Sequence, residues 1–448
     1  MRWVGVVSSM VLSGCAAQRF GAGVDVMQVT STHFEAIGDV PTQRLELEVG
    51  RLEQLYDVFA VFFKAEPHLG QRIRVAVMRE QEPAEFVDDA GGFVTTGALE
   101  PFVITSVGED SRFFVTNAHE LVHLLSAYAL PGQPRWFSEG IASFFEDAHF
   151  QTDGSIKMGT WRDVYVWTSV DDLLSWDSRP VRLADSGPLY ATARALLFYL
   201  ANRDEPRLER LLEGLRGRRP VAELYAELFP AEERVALLER VKAFVAEQKF
   251  SAWRTRLLRE SSLSTPRRLE PWEVALWRSQ LFRATGRYAL AHTALLEAKA
   301  QAPKPEPPAL RAERIERGEW VDAPDAPEPL VQLALAEADD RSYAERLFAA
   351  RAATTQLPTS ALAFLRLARA ARTVRQYDEA LVAARQAAAL APWSTAAVFE
   401  QSRALSGLGR CREASAAFSL AVGMLESPEP SWVTKQQKAI VQGCRERT

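Results

Sequence analysis

The sequence predicts an α+β domain followed by an all-α domain of helical repeats, and three observations carry this prediction. The chain has 448 residues, enough for about three domains. Over residues 25–250, short alternating segments are mixed with segments of three- and four-residue periodicity. Residues 251–448 are rich in Ala, Leu and Arg, and part of this region repeats with a 34-residue step.

The composition is that of a globular protein that buries large cores, with 47% hydrophobic and 25% charged residues. This excludes a mostly disordered chain, a collagen-like repeat and a multi-span membrane protein. The net charge is −5 and there is no long run of Lys or Arg, so we expect no nucleic-acid partner. Three cysteines are too few for a disulfide-built scaffold.

The first 14 residues are predicted to be a targeting signal. Residues 3–11 are apolar or small and too few to span a bilayer as a helix, and they lead into Leu12-Ser13-Gly14-Cys15. This ending resembles the lipobox of bacterial lipoproteins. The resemblance implies removal of residues 1–14, lipidation of Cys15 and attachment to a membrane through a tether of residues 15–24. The alternative is a plain secretory signal with an incidental cysteine.

Either signal places the body of the protein outside the cytoplasm. Ala16 follows the cysteine, and by the same resemblance this implies a cell-envelope lipoprotein of the outer membrane, facing the periplasm or the exterior. Disulfides can form in that compartment. We therefore predict a bridge between Cys411 and Cys444, and two buried free thiols are the alternative.

The elements of the first domain follow from periodicity. Leucine, valine and phenylalanine recur at three- and four-residue steps from Gln43 to Phe63, which predicts a helix. Alternation predicts a half-buried strand at Arg72–Val77. The other predicted elements are a strand over Val24–Ile37, two short strands between Phe93 and Ser106, two helices around residues 113–146 and a mainly helical segment at 155–250.

In the second domain Tyr343, Tyr377 and Cys411 stand 34 residues apart, and small or apolar residues follow each at matching offsets. This resembles tetratricopeptide repeats, which implies helical hairpins able to bind a protein partner. A proline-rich segment, residues 304–329, interrupts the array, and Trp432–Cys444 would form the capping helix. A generic Ala-rich helical bundle is the alternative.

The chemistry of the sequence is concentrated in His119-Glu120-Leu121-Val122-His123, an HExxH motif. On a helix, residues four apart lie on one face, so both imidazoles reach one cation. Glu120 then lies beside the cation, where its carboxylate can take a proton from water. Glu139 lies on the next predicted helix, where it can turn back as a third ligand and leave the fourth position of a catalytic Zn²⁺ open.

These residues, with Trp136, Gly140 and Ala142 around Glu139, resemble the HExxH…WxxEGxA pattern of the gluzincin, peptidase-MA-like metallopeptidases. The resemblance covers residues 25–250 and implies a zincin-like fold with His119, His123 and Glu139 as metal ligands. It also implies that Glu120 is the general base.

Three supporting roles were assigned with alternatives. Glu146 is the candidate for a carboxylate that orients a ligand histidine, or else a solvated helix residue. Tyr190 resembles the family tyrosine that donates to the oxyanion, and Arg194 or an ordinary packed Tyr190 are the alternatives. A peptide substrate would lie along an edge strand, either Phe93–Thr96 or Phe102–Thr105, and for both segments a plain sheet strand is the alternative.

The sequence therefore predicts a membrane-anchored zinc metallopeptidase that cleaves a peptide or protein substrate. The alternative is an envelope scaffold that binds a protein partner through its repeats, with an inactive or structural metallopeptidase domain.

Overall fold

The computed structural model describes residues 20–21, 23–64, 71–79, 86, 92–94, 100–107, 112–146, 148–151, 155–158, 166–178, 186–247, 253–256, 262–319, 321, 328–424 and 430–445. The predicted signal peptide and its lipidation site Cys15 lie outside these residues, as does most of the predicted tether.

The described strands are short, and they are β1 (Met27–Thr30), β2 (Phe34–Gly38), β3 (Ile73–Arg79), β4 (Gly92–Val94), β5 (Phe102–Val107), β6 (His149–Phe150), β7 (Ser155–Met158), β8 (Trp253–Arg256) and β9 (Arg267–Arg268).

The described helices of the first half are α1 (Thr42–Phe63), α2 (Arg112–Ala129), α3 (Arg135–Phe145), α4 (Val170–Leu174), α5 (Gly187–Arg203), α6 (Glu205–Arg216), α7 (Val221–Leu228) and α8 (Arg234–Glu247). Those of the second half are α9 (Pro271–Ala284), α10 (Tyr288–Gln301), α11 (Pro308–Glu316), α12 (Pro329–Leu335), α13 (Tyr343–Gln356), α14 (Ala361–Thr373), α15 (Tyr377–Leu390), α16 (Thr395–Gly407), α17 (Cys411–Gly423) and α18 (Pro430–Arg445). A search of the described helices for one long and apolar enough to cross a bilayer finds none.

Six strands form the main sheet in the order β4-β5-β3-β2-β1-β9. Strand β3 pairs in parallel with β2 and β5, whereas the pairs β1–β2, β1–β9 and β4–β5 are antiparallel. A second, antiparallel sheet has the order β6-β7-β8. The predicted class, a mixed α/β region followed by a helical region, is therefore confirmed at this level.

Both faces of the main sheet are covered. Side chains alternate between faces along a strand, so Ala36 and Val75 join one core and their neighbours Ile37 and Ala76 join another. The first core also contains residues of α1, α2, α3 and α5, and the second contains Trp277 of α9. The strand predicted at Arg72–Val77 is confirmed as β3. Its predicted half-burial is wrong, because a helix from much later in the chain covers its second face.

The predicted helix Gln43–Phe63 is confirmed as α1. The single strand predicted over Val24–Ile37 is wrong, since this segment folds into the antiparallel strands β1 and β2. The turn between them is held by Ser31, whose backbone N–H donates to the carbonyl of Phe34 at 2.8 Å. The Ser31 hydroxyl also accepts from the backbone N–H of Phe34 at 3.2 Å.

The two sheets extend beyond residue 250, where the sequence placed the domain boundary. Strand β8 pairs with β7, and β9 pairs with β1 at the other end of the chain's first half. The helical region is thus joined to the first half through strand pairing and through the shared core under α9.

Helices α13, α15 and α17 begin at Tyr343, Tyr377 and Cys411, the residues that mark the 34-residue step. The small or apolar residues at matching offsets are buried: Ala350, Ala353, Ala384, Ala387, Phe418 and Ala421. The proline-rich interruption contains the short helix α11. The bridge between Cys411 and Cys444 is confirmed, with 5.8 Å between their Cα atoms, and it joins α17 to α18, which contains the predicted capping helix.

Candidate metal centre

Helix α2 presents the two motif histidines on one face. Leu121, Val122, Leu124 and Leu125 are fully buried against the core, which fixes how α2 is rotated. His119 and His123 are only half-buried, with side chains 20% and 17% exposed. The apolar residues between and after the histidines therefore decide that both imidazoles point to the same side.

Helix α3 returns the third predicted ligand to this face. The connection from α2 passes through Gly132, in the left-handed region at φ 78°, and α3 begins after the extended Pro134. Glu139 lies one turn into α3, and its Oε2 is 3.6 Å from Nε2 of His119 and 3.3 Å from Nε2 of His123. The structure thus brings together all three residues that the sequence singled out.

The spacing of these donors suits one tetrahedral ion. Ligands bound at about 2.0–2.1 Å in tetrahedral geometry lie about 3.3–3.4 Å from each other. The two distances to Glu139 bracket this value, and the two Nε2 atoms are 2.9 Å apart. Two imidazoles and one carboxylate are also a donor set that catalytic zinc uses. In the described part of the chain, this is the one group of three or more His, Cys, Asp or Glu residues that meets a metal-site spacing.

The pKa values of Glu139 and His119 are shifted by the neighbouring groups of the site. Burial raises the pKa of Glu139, but its hydrogen bonds with His119 and His123 outweigh burial and lower the pKa to about 2. Burial lowers the pKa of His119, yet its hydrogen bond with Glu139 and the charges of Glu120 and Glu146 raise the pKa overall. A buried carboxylate facing two imidazoles is an electrostatic arrangement that favours a bound cation.

His123 is oriented by a hydroxyl that the sequence analysis missed. Its Nδ1 lies 2.9 Å from Oγ of Ser138, the residue before Glu139. Gln133 lies behind this pair, 5% exposed, and its Nε2 donates to Oγ of Ser126 at 2.8 Å and approaches Oγ of Ser138 at 3.5 Å. The sequence could have indicated this role of Ser138, because the residue directly precedes a predicted ligand near the start of the helix that carries it.

His119 has no comparable partner among the described residues. Its Nδ1 is buried and no hydrogen bond to it is formed within the described part of the chain. Glu146, the predicted orienting carboxylate, directly follows α3, and its charge is one cause of the raised pKa of His119. The predicted hydrogen-bonding role of Glu146 stays a prediction.

Tyr190 is placed at the site by close packing of two helices. A Cβ on Gly140 would lie 3.0 Å from the carbonyl oxygen of Ala193, so the absent side chain lets α5 approach α3. This brings the hydroxyl of Tyr190 to 3.3 Å from Oε1 of Glu139, to which it donates. Burial and the negative charge of Glu139 raise the pKa of Tyr190, so the phenol keeps its proton at neutral pH.

Arg135 is a second group that the sequence analysis did not assign. Its Nε lies 3.8 Å from Oε1 of Glu139, and its guanidinium lies 4.7 Å from the centre of the Trp176 ring. Arg194, the alternative to Tyr190, is 7% exposed on α5, with its guanidinium 5.5 Å from the ring centre of Phe198. Tyr190 makes the described hydrogen bond from α5 to the candidate ligands, through Oε1 of Glu139.

The two predicted edge strands differ in their position in the sheet. Phe102–Thr105 lies within β5, which is paired on both sides by β3 and β4. It is therefore not an edge, and that prediction is wrong. Strand β4, Gly92–Val94, is the end strand of the described sheet, and α2 packs against it. Thr95 and Thr96, the rest of the other candidate, lie outside the described residues.

A comparison of the chain with protein-family models, curated proteins and solved structures finds no match.

Proposed function

We propose that this protein is a membrane-anchored zinc metallopeptidase of the gluzincin type. The observation that carries the proposal is the convergence of His119, His123 and Glu139 at distances of 2.9 to 3.6 Å, on the helices α2 and α3. The HExxH motif and the residues around Glu139 resemble this class independently of the geometry.

His119, His123 and Glu139 would hold the zinc ion through two Nε2 atoms and one carboxylate. The ion would supply Lewis-acid chemistry at a substrate carbonyl and increase the acidity of water in the site. Glu120 is half-buried beside His119. Its carboxylate accepts a proton from the attacking water and transfers it to the leaving amine. The phenol of Tyr190 donates a hydrogen bond to the oxygen that becomes negative in the transition state.

The substrate backbone is proposed to pair with β4, the end strand of the described sheet that lies against α2. Peptides bound as an added strand gain main-chain hydrogen bonds without a particular side-chain sequence. The proposal is therefore a peptidase for extended segments of peptides or proteins.

The test combines metal content with hydrolysis. We expect one zinc per chain in protein purified without chelators, and cleavage of an unstructured peptide library. Glu120→Gln should keep the zinc and reduce cleavage by a factor of at least about 100, because the general base is lost. His123→Ala should lose both zinc and cleavage. Full zinc occupancy with no hydrolysis of any peptide would overturn the peptidase proposal.

The location outside the cytoplasm and the lipid at Cys15 are part of this proposal. They are supported by the lipobox-like sequence and by the bridge between Cys411 and Cys444, which suits an oxidising compartment. Labelled fatty acid should be incorporated into the wild-type chain and not into Cys15→Ser. Incorporation into both proteins would contradict the assignment of Cys15.

The alternative function is a scaffold that binds a protein partner. It is favoured by one feature of the helical region: Phe348 and Val382 occupy the same position in successive 34-residue steps and are 73% and 68% exposed. Large apolar side chains exposed in register are typical of an interaction surface. Complementation of a deletion strain by full-length Glu120→Gln would favour the scaffold, whereas failure of this variant would favour the enzyme.

A further inference from the structure

The helical region returns to the first half of the chain and contacts it beside the metal centre. The contact is made by Ala391–Ser394, the connection between α15 and α16, which we call the docking segment. Trp393 is 6% exposed and its ring centroid lies 4.4 Å from that of Tyr128, at the end of α2. Ala391 and Trp393 belong to the main core of the first half of the chain.

Two further contacts fix this position. Arg218, between α6 and α7, donates through Nη2 to the carbonyl of Pro392 at 2.6 Å. Gly132, in the connection from α2 to α3, lies so close to the end of α17 that a Cβ on it would overlap the carbonyl oxygen of Gly423. The segment joining the two ligand-bearing helices is therefore in direct contact with the helical region.

A path of direct contacts leads from this segment to a proposed metal ligand. Gln133 follows Gly132 and is hydrogen-bonded to Ser126 of α2 and close to Ser138 of α3. Ser138 in turn contacts Nδ1 of His123. When Nε2 of an imidazole binds a metal, Nδ1 carries the proton, so Ser138 Oγ must be placed to accept it.

We propose that the docking segment and Gly423 hold the α2–α3 connection in place, so that Gln133 acts as a positioning residue for His123. This inference rests on the proposed zinc site. Its new content is that the affinity of the site for zinc depends on the helical region. The physical reason is that ligands must be held within about 0.5 Å of productive geometry. Changes in groups that orient a ligand typically weaken metal binding 10- to 100-fold.

The first test removes the docking contact and compares it with a matched loss of core packing. Trp393→Ala deletes the ring that packs against Tyr128. Phe399→Ala deletes a ring of similar burial, 7% exposed, that packs against Phe418 within the helical region. We expect about 10-fold weaker zinc binding in Trp393→Ala and wild-type binding in Phe399→Ala, measured by competition with a chromophoric chelator.

The second test addresses Gln133 itself. Gln133→Met keeps the volume of the side chain and removes its donor, and Gln332→Met makes the same change at another buried glutamine, 6% exposed, in α12. Co²⁺ replaces Zn²⁺ as a probe because its visible absorption reports ligand geometry. We expect Gln133→Met to weaken Zn²⁺ binding about 10-fold and to shift the Co²⁺ spectrum, and Gln332→Met to do neither.

The outcomes separate this inference from the proposed function. If the wild-type protein binds neither Zn²⁺ nor Co²⁺, the proposed function fails and the inference fails with it. If the wild-type protein binds both ions and Trp393→Ala and Gln133→Met bind them equally well, only the inference is overturned. Equal weakening by Phe399→Ala and Trp393→Ala would also overturn it, since general destabilisation would then be the cause.

Discussion

The candidate metal centre and the repeat helices both depend on small residues where two helices approach closely. The consequence of the close approach differs between the two regions. At the metal centre Gly140 lets α5 come near enough for Tyr190 to reach Glu139. In the repeats, buried alanines such as Ala384 and Ala387 let neighbouring helices pack against each other. The same packing device brings polar side chains together in one region and builds an apolar core in the other. Substitutions at the candidate metal centre should therefore change binding or catalysis, and those in the repeats away from the docking segment should change stability.

The largest expected effect is that of zinc on the site. A ligand at 1,000 times its dissociation constant stabilises the folded state by about 4 kcal/mol. We expect a gain of this size in the free energy of unfolding when zinc is added to metal-free protein, measured by chemical denaturation.

Glu139→Ala should remove this gain, since it deletes one of the three donors. Glu413→Ala, an exposed carboxylate on α17, should keep it. If zinc stabilised both variants equally, the stabilising ion would bind elsewhere. The contrast between the candidate metal centre and the repeats would then no longer hold.

The second effect belongs to the repeats. The bridge between Cys411 and Cys444 closes a loop with a sequence separation of 33 residues, and a loop of that length is stabilised by about 3 to 4 kcal/mol through restriction of the unfolded chain. Reduction should lower the stability of the helical region by up to this amount. The double variant Cys411→Ser, Cys444→Ser should start at the lower value and not respond to the reductant. A reductant response in the double variant would contradict the assignment.

Local patterns in the sequence predicted the features that depend on residues close together in the chain, both at the candidate metal centre and in the repeats. His119 and His123 share a helix face because one turn separates them, and Tyr343, Tyr377 and Cys411 begin helices because the repeat recurs. These signals lie within a few residues or within one period, so a single sequence contains them.

The parts that could not be predicted depend on contacts between distant segments. Arg72–Val77 was read as half-buried because nothing near it in sequence indicates that Trp277 covers its second face. Trp393 against Tyr128, and Gln133 behind Ser138, are likewise single contacts with no periodic signature. The general class of the fold and the convergence of His119, His123 and Glu139 were therefore predictable. The second layer on the sheet and the contacts that support these three residues were not.

The third effect separates catalysis from metal binding within the site. Tyr190→Phe removes only the hydroxyl that donates to Glu139 Oε1 and that we assign to the oxyanion. Loss of one such donor typically lowers kcat about 100-fold. We expect this loss with unchanged zinc content, measured by steady-state cleavage of the best peptide from the library.

Tyr199→Phe is the matched control for this variant, because Tyr199 lies on the same helix and packs against Phe244. Equal activity of Tyr190→Phe and the wild-type protein would remove Tyr190 from the mechanism and leave Arg135 or Arg194 as the donor to test.

The smallest effects are expected from two positions on one repeat helix, α15. Ala384 is fully buried, so Ala384→Leu overpacks a close helix contact and should cost about 1 to 3 kcal/mol of folding free energy. Val382 is 68% exposed, so Val382→Ala should change the free energy of unfolding by no more than about 0.5 kcal/mol. Denaturant titration measures both, and chelator competition should show wild-type zinc affinity for Val382→Ala. Comparable destabilisation by the two variants would mean that the outer face of α15 is covered. The repeats would then have no distinction between a packing face and a free surface at this helix.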